Sequence, residues 1–433
     1  MRWIEVENSG ALSGSVKIPG AKNSSLALVA AACMADEPVV LQGIPNILDI
    51  QVIRGFAGEI GIRMDRDEDG QWTVDARELV SAELDRAKTS AFRSSYYFVG
   101  ALLARTGRVT VGYPGGDNFV SRPIDQHFKV LKALGAKVEC YDDHYVVTAA
   151  KLKGNIIYFD MVTSGATMNA MMAAALAEGT TVLRNAARDP EVVDTANLLI
   201  QMGAKIWGAG TDTIRIEGVK HLSGCTYSVI PDRLIAGAFL MAAGVTRGTV
   251  TVDDIIPEHL GSCITKLREV GLQLEVKDKS ITAYGDSRIR ATRLRTGMYP
   301  SFATDLQQPF TSLMLMAEGR SIVTDKVYPW RFNHVAQLKR MGARIEVKRG
   351  SAFIQGGLQL RGEHVHASDV RAGTCLIMAG LMAEGTTIIS GVEHIERGNE
   401  DVIGLFRGLG AKIGYRDSEA PVTGAEADIR FGS

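Results

Sequence analysis

Two kinds of helical pattern alternate along the chain. One is small and apolar on every side, as in LALVAAACMA and ATMNAMMAAALA, and the other is amphipathic, as in DQHFKVLKAL. A helix that is apolar all round must be buried, whereas an amphipathic helix covers a core with one face. Short β-branched segments between them, such as VVLQ and TTIIS, predict strands. We therefore predict an α/β fold in which sheets surround buried helices.

A glycine that separates a helical pattern from an extended one recurs six times. The six segments are EIGIRM, ALGAKV, QMGAKI, EVGLQL, RMGARI and GLGAKI, and their glycines are Gly61, Gly135, Gly203, Gly271, Gly342 and Gly410. A second series lies between them and reads EPVVLQ, TGRVTV, EGTTVL, RGTVTV, EGRSIV and EGTTII. Glycine is favoured where a helix ends because it adopts the left-handed conformation at little steric cost.

The spacing of these glycines predicts six structural units. Successive glycines of the first series are 74, 68, 68, 71 and 68 residues apart. Each unit reads as a helix, a strand, a second helix and two further strands, which is longer than the repeat of a common solenoid. We expect the units to group as three plus three in two globular lobes, and a solenoid of weakly related modules is the alternative.

Composition and charge exclude several classes of protein. The chain has 433 residues and a formal net charge of -1, with 46% apolar and 22% charged residues, which gives no support to a disordered chain or a nucleic-acid-binding protein. Its longest apolar run, residues 26–35, is too short to span a bilayer. Five scattered cysteines form no CxxC pair, and the start MRWIEVENSG lacks the apolar core of a signal peptide. We expect a cytoplasmic protein that has no membrane-spanning segment, no metal site and no disulfide framework.

Charged and polar residues cluster where each apolar helix is predicted to start. The segments are PGAKNSS, AFRSS, TSGAT, PDRLIAG, FATDLQQ and SDVRAG. Helix N-termini bind anions, so several of them meeting between two lobes would bind a ligand with more than one anionic group. Serine and aspartate also cap helices, and we expect Ser24, Ser25 and Asp232 to do so. Lysine and arginine are disfavoured there by the helix dipole, which indicates a bound anion instead.

The segment YPGGDNFVSRPIDQH joins a predicted strand to an amphipathic helix. Its glycine pair, Gly115 and Gly116, predicts a mobile lid over the site, and an ordinary surface loop is the alternative. Near the C-terminus, HIERGNED places Arg397 in a loop before the last helix. P-loop, Rossmann and GxSxG motifs are absent from the sequence, so nucleotide hydrolysis, dinucleotide cofactors and serine hydrolysis lack their usual support.

Over essentially its whole length the sequence resembles the enolpyruvyl transferases, most closely the members that act on a nucleotide sugar. The specific stretches are PGAKNSSLALVAA, PGGDNFVSRPIDQH, ARDPEVVDTANLL, IPDR, YPSFATDLQQP, ASDVRAG and HIERG. The resemblance implies an inside-out α/β barrel with three repeated units in each of two lobes. Residues 22–229 would form the lobe with the mobile lid, at about 112–123, and residues 1–21 and 230–433 the second lobe. The active site would lie in the cleft between them.

The resemblance also implies a reaction. The enolpyruvyl group of phosphoenolpyruvate would move to the 3-hydroxyl of UDP-N-acetylglucosamine, with release of phosphate, through a tetrahedral intermediate and without a cofactor. This is the first committed step of peptidoglycan synthesis. The alternatives are a paralogue that uses another nucleotide such as UMP, a shikimate-phosphate enolpyruvyl transferase, and a non-catalytic nucleotide-binding relative. The oligomeric state is not predicted.

Residue roles follow from the matched motifs. By resemblance, the phosphate would be held by Lys22, Arg122 and Arg397, and Arg371 would lie near the carboxylate. Asn23 would orient the reacting groups and Asp369 would help in the same pocket. Asp305 would be the base near the acceptor hydroxyl. The substrate-binding set is completed by residues expected mainly at the nucleotide, namely Arg93, Arg122, Pro123, Asp125, His127, Thr163, Ser164, Gly165 and Val327.

Three positions depart from the family pattern. Asp117 stands where most members have a lid cysteine, and an aspartate can still act as the catalytic acid when the closed site disfavours its charge. Its carboxylate should react poorly with the epoxide drug fosfomycin. Met161 stands where a lysine near the nucleotide diphosphate is usual, and Ile235 where a glutamate is usual. The acceptor is therefore less firmly predicted than the donor.

Overall fold

The computed structural model describes residues 2–91, 93–115 and 123–417, and within them the chain forms 14 α-helices and 23 β-strands. The helices are α1 Lys22–Ala32, α2 Leu48–Glu59, α3 Arg86–Ala91, α4 Tyr97–Thr106, α5 Asp125–Ala133, α6 Ser164–Ala175, α7 Pro190–Gln201, α8 Arg233–Thr246, α9 Gly261–Glu269, α10 Gln307–Leu315, α11 Asn333–Arg340, α12 Val370–Met382, α13 Val392–Glu396 and α14 Val402–Gly408. Short 3₁₀ helices lie at Arg93–Tyr96, Pro257–Leu260 and Thr304–Leu306.

The strands are short, with three to six residues each. They are β1 Arg2–Glu7, β2 Ser13–Lys17, β3 Val39–Gln42, β4 Arg63–Arg66, β5 Trp72–Asp75, β6 Arg108–Gly112, β7 Lys137–Cys140, β8 His144–Thr148, β9 Ile156–Tyr158, β10 Thr180–Arg184, β11 Lys205–Trp207, β12 Thr213–Glu217, β13 Thr226–Ser228, β14 Thr249–Asp253, β15 Gln273–Val276, β16 Ser280–Tyr284, β17 Arg293–Arg295, β18 Arg320–Thr324, β19 Arg344–Lys348, β20 Ser351–Gln355, β21 His364–His366, β22 Thr386–Ser390 and β23 Ile413–Asp417.

Among the described residues these strands form six small sheets, one for each predicted unit. The sheet β17-β18-β20-β19 is representative, because β17 pairs in parallel with β18 and the other two pairs are antiparallel. Five sheets have four strands. The sixth, β6-β8-β7, has three, and a single parallel bridge between Glu83 and Thr110 occupies the place of the fourth strand. The repeat inferred from glycine spacing is therefore a repeat of sheets.

The first strands of the chain complete sheets that later residues build. β1 lies between β22 and β23 and is antiparallel to both, with Ile4 opposite Ile389 on one side and Tyr415 on the other. β2 is the parallel edge strand beside β14. The N-terminal segment thus belongs structurally with the second half of the chain.

Two hydrophobic cores contain the small apolar helices. One core is built from residues 26–222, and the other from residues 4–18 together with residues 234–413. In the first core α4 packs on α6 and α1 on α7, and in the second α10 packs on α12 and α8 contacts both. Every residue of α1 from Leu26 to Ala32 is at most 2% exposed. The predicted two-lobe fold, with buried helices surrounded by sheets, is confirmed.

The glycine series has one informative exception. All six glycines of the first series have φ between 90° and 107°, as expected at helix ends. In the second series, however, Arg247 takes the left-handed conformation that ends α8, with φ 53°. A Cβ on the following Gly248 would lie 2.1 Å from the carbonyl oxygen of Leu12. Gly248 is therefore required because two backbone segments approach closely there, and not because its backbone takes the left-handed conformation.

The chain passes between the two cores twice, and the two passages lie side by side. The amide of Ala21 donates to the carbonyl of Ile230 at 2.8 Å, and the amide of Asp232 donates to the carbonyl of Pro19 at 2.9 Å. Gly20 lies between these bonds, where a Cβ would come within 2.1 Å of a neighbouring carbonyl oxygen. The connection between the cores is therefore a tightly packed pair of extended segments joined by a single antiparallel bridge between Gly20 and Pro231.

A candidate active site between the two cores

A cleft of about 790 Å³ lies between the cores, and residues of both line it. The predicted site residues that the structure describes all line this cleft, namely Lys22, Asn23, Arg93, Pro123, Asp125, His127, Thr163, Ser164, Gly165, Asp305, Val327, Asp369, Arg371 and Arg397. Asp117 and Arg122 lie outside the described residues, as does most of the predicted lid. Lys22 and Arg397 thus share one cavity although they are 375 positions apart in the chain.

A buried carboxylate joins the two described cations that were expected to hold the phosphate. Asp49, in the first turn of α2, is 3% exposed. Its Oδ2 lies 3.0 Å from Nζ of Lys22, and its Oδ1 lies 3.0 Å from Nε of Arg397. Lys22 begins α1, and Arg397 follows α13, a helix that the sequence analysis did not predict. Asp49 therefore holds one cation from each core at the same place.

A second charged cluster surrounds Asp305. Arg371 Nε lies 3.3 Å from Oδ2 of Asp305, and Arg331 Nη1 binds Oδ1. Burial raises the pKa of Asp305, but the attraction of the two guanidinium groups outweighs burial and holds that pKa well below its usual range. Asp305 is therefore ionised at neutral pH, and it is a weak base for as long as both arginines remain bound to it.

Asp369 connects this cluster to the start of α12. Its Oδ1 accepts hydrogen bonds from the backbone amides of Arg371 at 3.0 Å and Ala372 at 3.2 Å, so Asp369 caps the helix. Arg331 Nη2 lies 3.4 Å from the same oxygen. Arg331 was not among the residues predicted from the sequence, although it is 4% exposed and binds both aspartates of the cluster.

A ring cluster forms part of the first core's wall of the cleft. His127 is buried, and its ring lies 4.5 Å from the ring of Tyr96. Asn169 accepts from the amide of Gly100 through Oδ1 at 2.7 Å, so its Nδ2 faces His127 Nδ1, at 3.0 Å. The imidazole must then accept at Nδ1 and carry its proton on Nε2. Gly165 brings α6 close to the same tyrosine, because a Cβ there would lie 2.9 Å from the Tyr96 hydroxyl.

A third charged cluster crosses between the cores. Arg233, the first residue of α8, places Nε 3.1 Å from Glu191 and Nη2 3.6 Å from Asp189. Asp189 also accepts a hydrogen bond from Ser164 Oγ at 2.9 Å. Burial raises the pKa of Asp189, and the neighbouring charge of Glu191 adds to that effect. The cleft therefore has an acidic side as well as cationic ones.

These clusters revise the reason given for cations at helix N-termini. From the sequence, we expected Lys22, Arg233 and Arg371 to bind an anionic ligand. In the structure, each of them has a carboxylate partner from another element. A carboxylate offsets the unfavourable dipole energy of a cation at that end of a helix. Carboxylates of the protein itself thus supply part of the negative charge that we had assigned to a bound ligand.

The prediction that Ser24, Ser25 and Asp232 cap helices is confirmed only for Asp232. Asp232 caps α8, because its Oδ1 accepts from the amides at the second and third positions of that helix at 2.8 and 3.0 Å. Ser24 and Ser25 do not cap α1. Ser24 donates to Asp194, and Ser25 donates to the carbonyl of Ala21 at 2.8 Å. The prediction was wrong because α1 already begins at Lys22, which places both serines inside the helix.

The two described departures from the family pattern lie in different surroundings. Met161 lines the cleft and is 56% exposed. Ile235 is 6% exposed and belongs to the second hydrophobic core. Met161 is therefore the one of these two that is placed to affect a ligand directly.

Over the described ranges, we find no group of three His, Cys, Asp or Glu side chains arranged to hold a metal ion. None of the helices assigned there combines the length and the apolar character needed to cross a membrane.

We expect His127 to make the stability of the protein depend on pH. Burial, together with the charge of Arg93, lowers the pKa of His127 to about 3. The folded protein therefore keeps the ring neutral, whereas the unfolded chain binds a proton as the pH falls below about 6.5. The stability contributed by His127 is present above that pH and is lost progressively between pH 6.5 and 3. Between pH 7 and pH 5 the loss should be about 2 kcal/mol.

The measurement is urea unfolding of the wild type and of His127→Gln at both pH values. Glutamine can still accept from Asn169 but does not titrate, so the wild type should lose about 2 kcal/mol more than the variant. Parallel pH profiles of the two proteins would show that His127 is not held neutral.

Comparison with known proteins assigns the family. The model of the family EPSP synthase (3-phosphoshikimate 1-carboxyvinyltransferase) matches residues 6–405. The UDP-N-acetylglucosamine 1-carboxyvinyltransferase 2 of Bacillus cereus is 46% identical over 413 residues, which cover 95% of this chain and 96% of that protein. The proteins of the same name from Bacillus subtilis and Listeria innocua are 45% and 43% identical over 414 and 408 residues, covering 95% and 94% of this chain and 96% of each relative.

Solved structures agree with this assignment. The enolpyruvyl transferase NikO from Streptomyces tendae superposes with a TM-score of 0.88 at 25% identity, over 96% of this chain and 99% of that one. An EPSP synthase from Acinetobacter baumannii gives a TM-score of 0.72 at 19% identity, over 96% of this chain and all of that one, and it supports the fold alone. The chain therefore belongs to the EPSP synthase family and is an enolpyruvyl transferase.

Proposed function

We propose that the protein transfers the enolpyruvyl group of phosphoenolpyruvate to the 3-hydroxyl of UDP-N-acetylglucosamine, in the first committed step of cytoplasmic peptidoglycan synthesis. Relatives named for this acceptor are 43–46% identical over nearly the whole chain. The structural observation that carries the proposal is the convergence of Lys22, Arg371 and Arg397 from both cores on one cleft. Both substrates are anions, and such a cleft suits a donor and an acceptor that must be held together.

At the donor end, Lys22, Arg122 and Arg397 would bind the phosphate of phosphoenolpyruvate. The ion pairs of Asp49 with Lys22 and Arg397 support this role, because they fix the two cations near one point before any ligand binds. Arg371 would bind the carboxylate of the donor. Cations held in place in this way stabilise the charge that develops in a tetrahedral intermediate without further rearrangement.

The chemistry needs one acid and one base. In the addition step, Asp305 would accept the proton of the acceptor hydroxyl while the oxygen forms a bond to C2 of the donor, and Asp117 would donate a proton to the methylene carbon C3. In the elimination step, the bond from C2 to the phosphate oxygen would break, the carboxylate of Asp117 would take a proton back from C3, and the leaving phosphate would take the proton held by Asp305. The carboxylate of the donor would compete with Asp305 for Arg371 and so weaken the ion pair between Arg371 and Asp305. Asp305 would therefore be a stronger base when the donor is bound.

At the acceptor end, the nucleotide would lie along the wall that carries His127 and the start of α6. The neutral ring of His127 offers its Nε2 hydrogen, and the free amides of α6 suit a diphosphate. The remaining contacts are proposed from Arg93, Pro123, Asp125, Thr163, Ser164, Gly165 and Val327. Asn23 and Asp369 would lie between the two substrates.

We further propose that the lobes are residues 22–229, with the lid at about 112–123, and residues 1–21 with 230–433. The separate cores and the paired passages at Ala21 and Ile230 support these boundaries. Closure of the lobes over the substrates would exclude water from the reacting groups.

The acceptor is tested by the release of phosphate from phosphoenolpyruvate with UDP-N-acetylglucosamine, UMP or shikimate 3-phosphate. We expect release with UDP-N-acetylglucosamine. Because Met161 puts no charge in the cleft where the family usually has lysine, UMP is the second candidate, and release with UMP alone would contradict our acceptor. A protein that releases no phosphate with any of the three would be a non-catalytic relative.

In the same assay, Asp305→Asn should lower kcat by about 100- to 10,000-fold, because the amide cannot accept the hydroxyl proton. Its matched control is Glu217→Gln, which removes an exposed carboxylate paired with Lys205 away from the cleft and should leave kcat unchanged. A kcat of Asp305→Asn within twofold of the wild type would exclude Asp305 as the base.

Fosfomycin tests the role of Asp117. We expect no time-dependent inactivation of the wild type, because a carboxylate is a poorer nucleophile towards an epoxide than a thiolate. Asp117→Cys should become sensitive while it keeps activity. Covalent labelling of the wild type at Asp117, detected by mass spectrometry, would contradict this expectation.

A further inference from the structure

Asp194 lies where α7, α1 and the second passage between the cores meet. Its Oδ2 accepts hydrogen bonds from Ser24 Oγ and, at 3.4 Å, from the amide of Ile230. Its Oδ1 accepts from the hydroxyl of Tyr227 at 2.6 Å. The residue has no solvent exposure. One carboxylate on α7 thus binds two other segments of the chain, the start of α1 and residues 227–230.

The bound segments are the ones that determine where the catalytic end of α1 lies. Ser24 is the third residue of α1 and follows Lys22 and Asn23, which line the cleft. Ile230 binds the residue just before α1, since its carbonyl accepts from the amide of Ala21 at 2.8 Å. The same carboxylate therefore holds the start of α1 directly, through Ser24, and also holds the neighbouring segment at Ile230, to which the residue before α1 is hydrogen-bonded.

The start of α1 has no side-chain cap of its own. Besides Asp194, it is held by Asp232, whose Oδ2 accepts from the amide of Lys22 at 3.2 Å. Asp232 precedes α8 and packs with the other core, whereas Asp194 belongs to the same core as α1. A buried carboxylate is unfavourable unless donors surround it. The three donors around Asp194 offset only part of this cost, because burial still raises its pKa. Hydrogen bonds to the ionised carboxylate are stronger than those to a neutral acceptor.

We propose that Asp194 is a positioning residue for enolpyruvyl transfer. By binding Ser24, Tyr227 and the Ile230 amide together, it fixes Lys22 and Asn23 in the cleft and keeps them in place when the lobes move. The inference rests on the proposed function, because Lys22 and Asn23 act on the donor in that reaction. Asp194 itself does not line the cleft and touches no substrate.

The first test is Asp194→Asn. The substitution removes the negative charge and one of the two acceptor oxygens, so the charge-assisted hydrogen bonds from Ser24, Tyr227 and the Ile230 amide are weakened. We expect kcat to fall about 10- to 100-fold, while the KM for UDP-N-acetylglucosamine changes less than threefold because the nucleotide wall belongs to other elements. Tyr227→Phe removes the hydroxyl that donates to Oδ1 and lies 3.3 Å from the backbone carbonyl of Asp194, and it should lower kcat about 3- to 10-fold.

The second test asks whether Asp194 acts through Ser24. Ser24→Ala should lower kcat about 5- to 20-fold in the wild type but by at most about threefold in the Asp194→Asn background, because the negative charge that Ser24 binds is already absent there. A matched control is Asp75→Asn, which removes another buried carboxylate, bound by Arg63 and Arg77 in the first core. This control should lower the unfolding midpoint and leave the kcat of the folded protein unchanged.

The outcomes separate the inference from the function on which it rests. If the wild type releases phosphate and Asp194→Asn has the same kcat, or if the effects of Ser24→Ala and Asp194→Asn are additive, Asp194 is not a positioning residue and the function stands. If the wild type releases no phosphate, the function fails and the inference fails with it. Should Asp194→Asn not fold, Ser24→Ala and Tyr227→Phe test the inference, which a normal kcat in both would overturn.

Discussion

The ion pairs of Asp49 with Lys22 and Arg397 are the constraint on which the rest of the cleft depends. Two cations that serve one phosphate repel each other when they are close, and the repulsion grows as water is excluded. Asp49 offsets that repulsion before any ligand is present, and it does so across the gap between the cores. The lobes can therefore present a concentrated positive charge to a donor without being pushed apart by it.

Other cations in the cleft are also paired with carboxylates of the protein. Arg371 has Asp305 as its partner, and Arg233 has Glu191. Each of these cations lies in the first turn of a helix, where the dipole disfavours it, and each acid comes from a different element. The net charge of -1 is consistent with this arrangement, because cations concentrated in the cleft are matched by nearby acids instead of being left uncompensated. An anionic substrate then binds by partly replacing these carboxylates as the partners of the cations. Each ionic contact with the ligand is thus exchanged for one within the protein.

The repeat could be predicted from the sequence because it depends on a local pattern, whereas most of the cleft lining was predicted from the resemblance to a known family. Glycine at a helix end has a fixed conformational reason, so its spacing revealed the six units. Asp49 could not be found in this way, since an acid in the first turn of an amphipathic helix looks like an ordinary dipole partner and its partner Arg397 is 348 residues away. Asp194 has the same difficulty inside α7. The serine caps were predicted wrongly because the start of α1 is fixed by tertiary bonds to Asp194 and Asp232, which no local pattern reveals.

The most direct test of the account is a double-mutant cycle on Lys22 and Arg397, with kcat/KM for phosphoenolpyruvate measured at saturating UDP-N-acetylglucosamine. If the two cations from opposite cores bind one phosphate, Lys22→Met and Arg397→Met must be coupled, and the loss in the double variant should be smaller than the sum of the single losses by at least about 1 kcal/mol. Losses that add fully would mean that the two cations serve different groups, and would contradict a donor site shared by both cores.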